Sequence, residues 1–465
     1  MGCGASGDRR TVSRVVLLTS AGESVKRGLG AAMVAVVAFG VACTGSARPV
    51  SPAAAVVKHP PPRQALFGFD TYVDQQPDFE PTRLVRLDPV TLRDQPFSSL
   101  KLGDATSGHV FSPDRRSMAV GDVNDRRVVV IDLVGYRVAG SVTVTRPSPT
   151  GWSTPVQVVS WPRPDRLLVY TQPEAAHTSY PAQLIVVDPT GAGRVVRTEP
   201  LGGSVIASTG LDDGRAAFLV APAGRVGKSR LVIADPDGNL HVIALPGTPG
   251  GFGTPDGYHG SAEDPGLAVV GGHAYVVGST DRVADVDLGA DRVRYHAVPG
   301  LMADHVPDGP PLDPGSGGIM TNDSRTVAAL GGGLLSVTGY ATRPAHGDTQ
   351  NQSTVMSAQI VDTKTWQVRR TLHDVTQLVA AHGLYYCWLG SPSFSATVLE
   401  ALRPDGRVAF RRTARDTGWE ISAGRLFEWN GNPGYLELDP LTGRVLRHVA
   451  PTVDAPLDLV PWTRP

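Results

Sequence analysis

Ser112-Pro113-Asp114-Arg115-Arg116 makes a tight turn. An apolar strand follows at Ser117-Met118-Ala119-Val120-Gly121, then a second apolar strand ending in an acid, Val128-Val129-Val130-Ile131-Asp132, and a more polar run from Arg137 to Val144. The reading of this stretch decides the fold. β-branched runs of four to six residues, bounded by Gly, Pro and Asp, are strand signals, and no helical period of 3.6 interrupts them.

The unit recurs. Its first turn reappears at Pro164-Asp165-Arg166, Asp213-Gly214-Arg215, Gly271-Gly272-His273, Ala381-His382-Gly383 and Ala423-Gly424-Arg425. The acid that ends the second apolar strand reappears at Asp88, Asp188, Asp235, Asp287, Asp362 and Asp439, with Pro404-Asp405 in the remaining copy. Asp439-Pro440-Leu441-Thr442-Gly443-Arg444 is the fullest version, with Asp placed to hydrogen-bond locally and Gly to take a positive φ. Copies at about 50-residue spacing have the period of propeller blades. The chain from residue 64 to 465 is therefore expected to be an all-β β-propeller of four-stranded blades, eight by this count, with seven as the alternative. The first copy lacks an innermost strand, and the end of the chain carries a spare apolar segment, Pro456-Leu457-Asp458-Leu459-Val460-Pro461-Trp462. That tail is expected to fill the gap and close the ring, which removes two free sheet edges.

These motifs resemble the bacterial propellers of the TolB and WD-repeat-like type, with their "SPDG" and "DxxTG" turns. The resemblance implies a fold rather than an activity, since such propellers include binding scaffolds, surface proteins and a few enzymes. The fullest second turn also resembles the pyrroloquinoline-quinone dehydrogenase repeat, but Arg447 stands where that repeat has Trp and Glu437 where it has Ala, so no quinone cofactor is expected.

Before residue 64 the chain reads as an address. Lys26 and Arg27 precede fifteen uncharged residues, Gly28 to Ala42, too few to cross a bilayer, which takes about 20. Gly40-Val41-Ala42-Cys43 resembles the lipobox of bacterial lipoproteins, which implies a signal peptide over 1–42 and acyl chains on Cys43 after cleavage. Residues 43–63, rich in small residues and Pro, read as a flexible tether. Translation starting near Val25 would make the leader compact. The myristoylation pattern Met1-Gly2-Cys3-Gly4-Ala5-Ser6 competes with this reading but gives the apolar run and Cys43 no role. The expected location is extracytoplasmic, anchored to the cell membrane. Cys387 is then the sole Cys besides Cys43, so no internal disulfide is expected and Cys387 reads as a small buried hydrophobe.

Function is less legible. With 43 Lys plus Arg against 44 Asp plus Glu, and a net charge of -1, nothing marks a nucleic-acid partner. There is no G-x-S-x-G elbow, no H-E-x-x-H and no complete G-x-G-x-x-G. Strand direction alternates within a blade, so one rim carries the short hairpins and the other carries the insertions at 71–81, 171–182, 221–228, 247–265, 300–318 and 341–355. Long connections gathered on one rim suggest a binding surface. Its candidate residues are His177, Tyr180, Asp256, Tyr258, His259, Glu263, Asp264, Asp304, His305, Asp308 and His346. Their oxygens suit a hard cation, yet no D-x-D-x-D-G or His-x-x-x-His spacing supports a metal, so no metal is expected. His273 and His382 read as turn residues. The expected role is a binding or interaction scaffold for an envelope protein or small molecule, with a lactonase-type propeller hydrolase holding a channel metal, or a purely structural surface protein, as alternatives.

Overall fold

The computed structural model describes residues 64–464 apart from 71–81, 104, 123–125, 145–154, 173–180, 254–259, 302–319, 345–350, 391–395, 414–417, 430–433, 452 and 454–457. The leader, Cys43 and the tether lie outside the described residues.

Strands form because apolar residues run unbroken between turns. Arg127–Asp132 and Gln183–Asp188 are buried at every interior position, as a strand covered on both faces must be, whereas the outer strands Arg194–Pro200 and Val408–Thr413 are largely exposed or half-buried. Antiparallel pairing of successive strands builds a β-propeller of four-stranded blades. Six blades stand as separate four-stranded sheets, over residues 64–103, 105–143, 156–200, 266–297, 375–413 and 418–449. The count of eight, or of seven, is corrected by this. Residues 204–253 and 320–372, which would supply further separate blades, belong to one nine-stranded sheet, because the strand Gly260–Asp264 pairs with both of them.

The tail does what the repeat pattern required. Leu459–Thr463 is the fourth strand of the first sheet and pairs antiparallel with Gln64–Asp70, Trp462 opposite Ala65 and Val460 opposite Phe67. Apolar clusters bridge each unit to the next. One of them joins Phe427, Tyr435 and Val449 to Leu66, Val85, Leu87 and Leu92, so the end of the array packs on its beginning.

The recurring acids are the fasteners of the second turn. Asp88, Asp132, Asp287, Asp362 and Asp439 each accept hydrogen bonds from the backbone N–H groups two and three residues on, at 2.7–3.1 Å. The turn then leaves through a left-handed residue, which is Gly443 in the fullest copy but Leu92, Tyr136, Asp291 and Trp366 elsewhere. Enough backbone donors are fixed by the carboxylate that a large side chain is tolerated at positive φ. Glu437 and Arg447, the two departures from the quinoprotein repeat, pair with each other, and Arg425 grips the same carboxylate at 2.6 Å.

Candidate functional site

Hairpins on one rim have two to six residues, such as 164–165, 271–272, 363–366 and 439–444. Connections between second and third strands, and between units, leave the opposite rim, which therefore carries 71–81, 144–155, 172–182 and 298–319. Two of the expected insertions prove to be largely strand, and a third is a short turn. Residues 222–226 are a short turn, 341–344 and 351–355 are strand ends, and 247–265 contains the end of Leu240–Gly253 and all of Gly260–Asp264. The reason is register: these strands overrun their blades at one end, and the overrunning ends pair with one another.

Gly260–Asp264 runs parallel to the start of Met320–Gly331, with Gly260 opposite Met320 and Glu263 opposite Asp323. On the far side of that strand Asn322 faces Thr342, and Pro344 faces Asn351 on the next strand. Three connections therefore begin or end along one line of paired backbone: the one containing Asp256, Tyr258 and His259, the one containing Asp304, His305 and Asp308, and the one containing His346. Those seven residues lie outside the described residues, as do His177 and Tyr180, which belong to the connection after Arg166–Thr171 in a different blade. Glu263 and Asp264 are described, on the pairing strand itself.

The alternation of the pleat puts Glu263, Asp323 and Arg325 on one face of the seam. Arg343 joins them from the neighbouring strand and holds Asp323 with both carboxylate oxygens, at 3.0 and 3.1 Å. Asp323, Arg325 and Arg343 are only 7%, 8% and 6% exposed, so these charges are inside the protein. Arg325 reaches across Gly339, where a Cβ would meet its guanidinium at 3.0 Å, to contact the sulfur of Met356. Ser279, from the turn after His273–Val277, hydrogen-bonds to Glu263.

Burial pushes the Glu263 carboxyl up to about 7, and the Asp323 carboxylate beside it adds to the rise. The Ser279 hydroxyl, Arg343 and Arg325 oppose it. A half-buried carboxyl that exchanges its proton near neutral pH is rare, and such groups concentrate at functional sites. The sequence named Glu263 as a loop carboxylate, but Asp323, Arg325 and Arg343 were missed. The available signal was the alternation of Asp323 and Arg325, with Arg343 further on, within stretches that otherwise read as strand.

Elsewhere the histidines correct the expected picture. His382 is a turn residue, at φ 53°, but His273 opens a strand and its Nδ1 lies 2.7 Å from Asp285. His296 stacks on Trp366 at 3.8 Å between centroids, with its Nε2 3.6 Å from the same carboxylate. Cys387 is buried, and burial pushes its thiol up to about 12, so it packs as a hydrophobe. Among the described residues no cluster of three His, Cys, Asp or Glu side chains could hold a metal ion.

No family model matches the chain, and no curated protein matches it. Among solved structures it is similar to the dihydro-heme d1 dehydrogenase NirN in complex with DHE, at 13% identity and a TM-score of 0.50 over 88% of this chain and 77% of that one. It is also similar to BamB from Moraxella catarrhalis, at 12% identity and TM-score 0.42 over 80% and 90%. Apo AztD from Citrobacter koseri gives 11% identity and TM-score 0.46 over 86% and 98%. At 13% identity the first of these likenesses concerns the fold alone, and the two looser ones add nothing about activity.

Proposed function

We propose that this protein is a binding scaffold that takes up an envelope protein or a small molecule on the rim of long connections, and that acyl chains on Cys43 anchor it outside the cytoplasm at the cell membrane. The observation that supports the reading is the sorting of connections. Every hairpin on one rim is short, and on the other rim three connections rich in Asp, His and Tyr are rooted along one seam of paired strands. Loops positioned by a rigid sheet are the usual place for recognition, because the scaffold meets the ordering cost in advance. The lipobox-like segment Val41-Ala42-Cys43 supports the anchor.

Crosslinking in native membranes tests both halves. A photo-crosslinker at position 305 or 346 should capture a discrete partner, and one at position 272 or 383 on the hairpin rim should not. Capture from the hairpin rim alone would overturn the assignment of the face. Cys43→Ala should release the protein from the membrane fraction, and a variant that stays membrane-bound would overturn the anchor.

A further inference from the structure

Gln64, where the propeller begins, stands on the hairpin rim. It pairs with Thr463, and Leu66 pairs with Leu87, so the strand starts at the end of its sheet that carries the 88–93 hairpin. Asp70, opposite Arg83, ends it on the other rim. Twenty residues, 44–63, separate Gln64 from Cys43. Fully extended, a segment of that length reaches roughly 70 Å, and for the opposite rim to face a bilayer it would first have to run the height of a blade, roughly 25 Å for seven residues of strand.

The hairpin rim is also where the apolar surface lies. Blades 375–413, 418–449 and 64–103 are consecutive around the ring, the last two through the cluster that packs the end of the array on its beginning. Between them they expose Val408, Leu441, Val445, Leu446 and Val90, each 44–57% accessible. Every one of these lies in the hairpin between third and fourth strands or in the first two residues of the fourth strand. The other exposed large apolar side chains among the described residues, Val195, Val196, Val242 and Val270, also sit within three residues of a hairpin on this rim. Exposed apolar surface sorted to one face marks a contact surface.

The three hairpins form a fixed platform, because neighbouring blades hold their carbonyls. The Tyr386 hydroxyl donates to Pro440 at 2.7 Å, Arg412 donates to Gly443 at 2.9 Å, and Arg425 donates to Pro89 at 3.0 Å. Charge on the platform favours an anionic surface. Arg93, Arg403, Arg407 and Arg444 of these hairpins are exposed. Asp88 and Asp439 are half-buried and accept backbone N–H groups, which leaves Asp94 and Asp405 as the exposed acids. Apolar side chains that enter the headgroup boundary, flanked by guanidinium groups that meet phosphate, are the chemistry of interfacial membrane attachment.

From this placement we propose that the hairpin rim, on the side of blades 375–413, 418–449 and 64–103, rests on the phospholipid surface and turns the rim of long connections away from the membrane. The proposal rests on the acyl anchor at Cys43 and deepens that reading. The acyl chains hold the protein at the bilayer, and the shallow apolar contact sets its orientation.

Fluorescence quenching on the acylated full-length protein tests this, in vesicles of phosphatidylcholine and phosphatidylglycerol that carry a nitroxide on the lipid headgroup. A fluorophore is placed through Leu441→Cys or Val408→Cys on the hairpin rim, or through Thr143→Cys or Thr413→Cys, which end outer strands at the opposite rim. Cys387 is buried and does not compete for the label. Labels at 441 and 408 should lose about half their emission, while those at 143 and 413 keep theirs. Leu446→Glu with Val445→Glu, both at exposed positions, should lower the quenching at 408 about twofold and leave the urea midpoint unchanged. Equal quenching at both rims, stronger quenching at 143 and 413, or full quenching in the double variant would overturn the orientation. So would a photo-crosslinker at 441 that captures a protein in place of lipid. Failure of the anchor reads differently: the chain is then missing from the membrane fraction before any label is measured, and the orientation falls with it.

Discussion

Removing the closing strand should cost this ring more than any other change of similar size, and Trp462 carries most of the effect. Its side chain is 2% exposed and sits 6.0 Å from the Phe67 ring, in a cluster that reaches Tyr136 and Met118 on the next blade. Its indole N–H donates to the Arg115 carbonyl at 2.6 Å. Trp462→Ala forfeits about 3–5 kcal/mol of burial and leaves a cavity at the blade junction. The lost hydrogen bond adds about 1 kcal/mol, since the Arg115 carbonyl lies in an exposed turn that water can reach. With a urea slope of about 3–4 kcal/mol/M for a chain of this size, the unfolding midpoint should fall by about 1.5 M. Trp462→Phe keeps the packing and loses the donor, so its midpoint should fall by about 0.3 M. Truncation after Pro451 also removes Leu459 and Val460 and reopens two sheet edges, so it should lower the midpoint further and promote association. A midpoint within about 0.2 M of the parent for both Trp462→Ala and the truncation would mean that the ring does not depend on its seam.

Glu437→Gln should destabilise by about 2 kcal/mol in the same urea assay, because Arg425 and Arg447 lose a shared carboxylate that is 5% exposed. An unchanged midpoint would show those charges to be solvated. Ala423→Gly should stabilise by about 1 kcal/mol, since Ala423 sits at φ 51° where a Cβ is strained, and a loss of stability would contradict that backbone assignment. Turn hydrogen bonds hold the carboxyls of Asp88, Asp287 and Asp439 below the usual carboxylate range, with backbone N–H groups the largest cause. Their stabilisation is present above pH 3.8 and is lost as pH falls through their lowered values, so thermal midpoints should decline below pH 4 and the triple Asp→Asn variant should decline less. Parallel acid curves for parent and triple variant would rule the turn acids out as the cause.

The propeller was legible because its construction is local and repeated. A carboxylate that fastens a turn needs Asp at one position whatever the rest of the chain does, and so Asp88, Asp132 and Asp439 announced the same turn far apart. Apolar strands buried on both faces announced the middle of each blade in the same way. The closing tail was legible by subtraction, as one missing strand at the start and one spare at the end. The two-unit merger was not legible. Pairing between Gly260–Asp264 and Met320–Gly331 joins segments some 60 residues apart through a parallel register that no turn sets. Nothing in the local composition of 247–265 separates a paired strand from a loop, since Gly and Pro serve both.

That blind spot has a physical basis. Repeats are readable because each copy meets the same demands, whereas a binding or switching element has to break the repeat, and it does so with residues that the pattern classes as noise. Asp323, Arg325 and Arg343 sit on strand ends that overrun their blade, and burying them is costly unless they satisfy one another. The Asp323–Arg343 pair meets that condition, which leaves Glu263 as the carboxyl whose burial is least compensated. A seam of this kind is a poor way to stabilise a propeller, since apolar residues of similar volume would hold the two blades at lower cost. Its retention at the root of the connections with the most Asp and His is better understood as a requirement of the rim than of the ring. Replacing the seam acids and arginines with Leu and Met should therefore leave the fold intact, or firmer, while removing whatever the rim does.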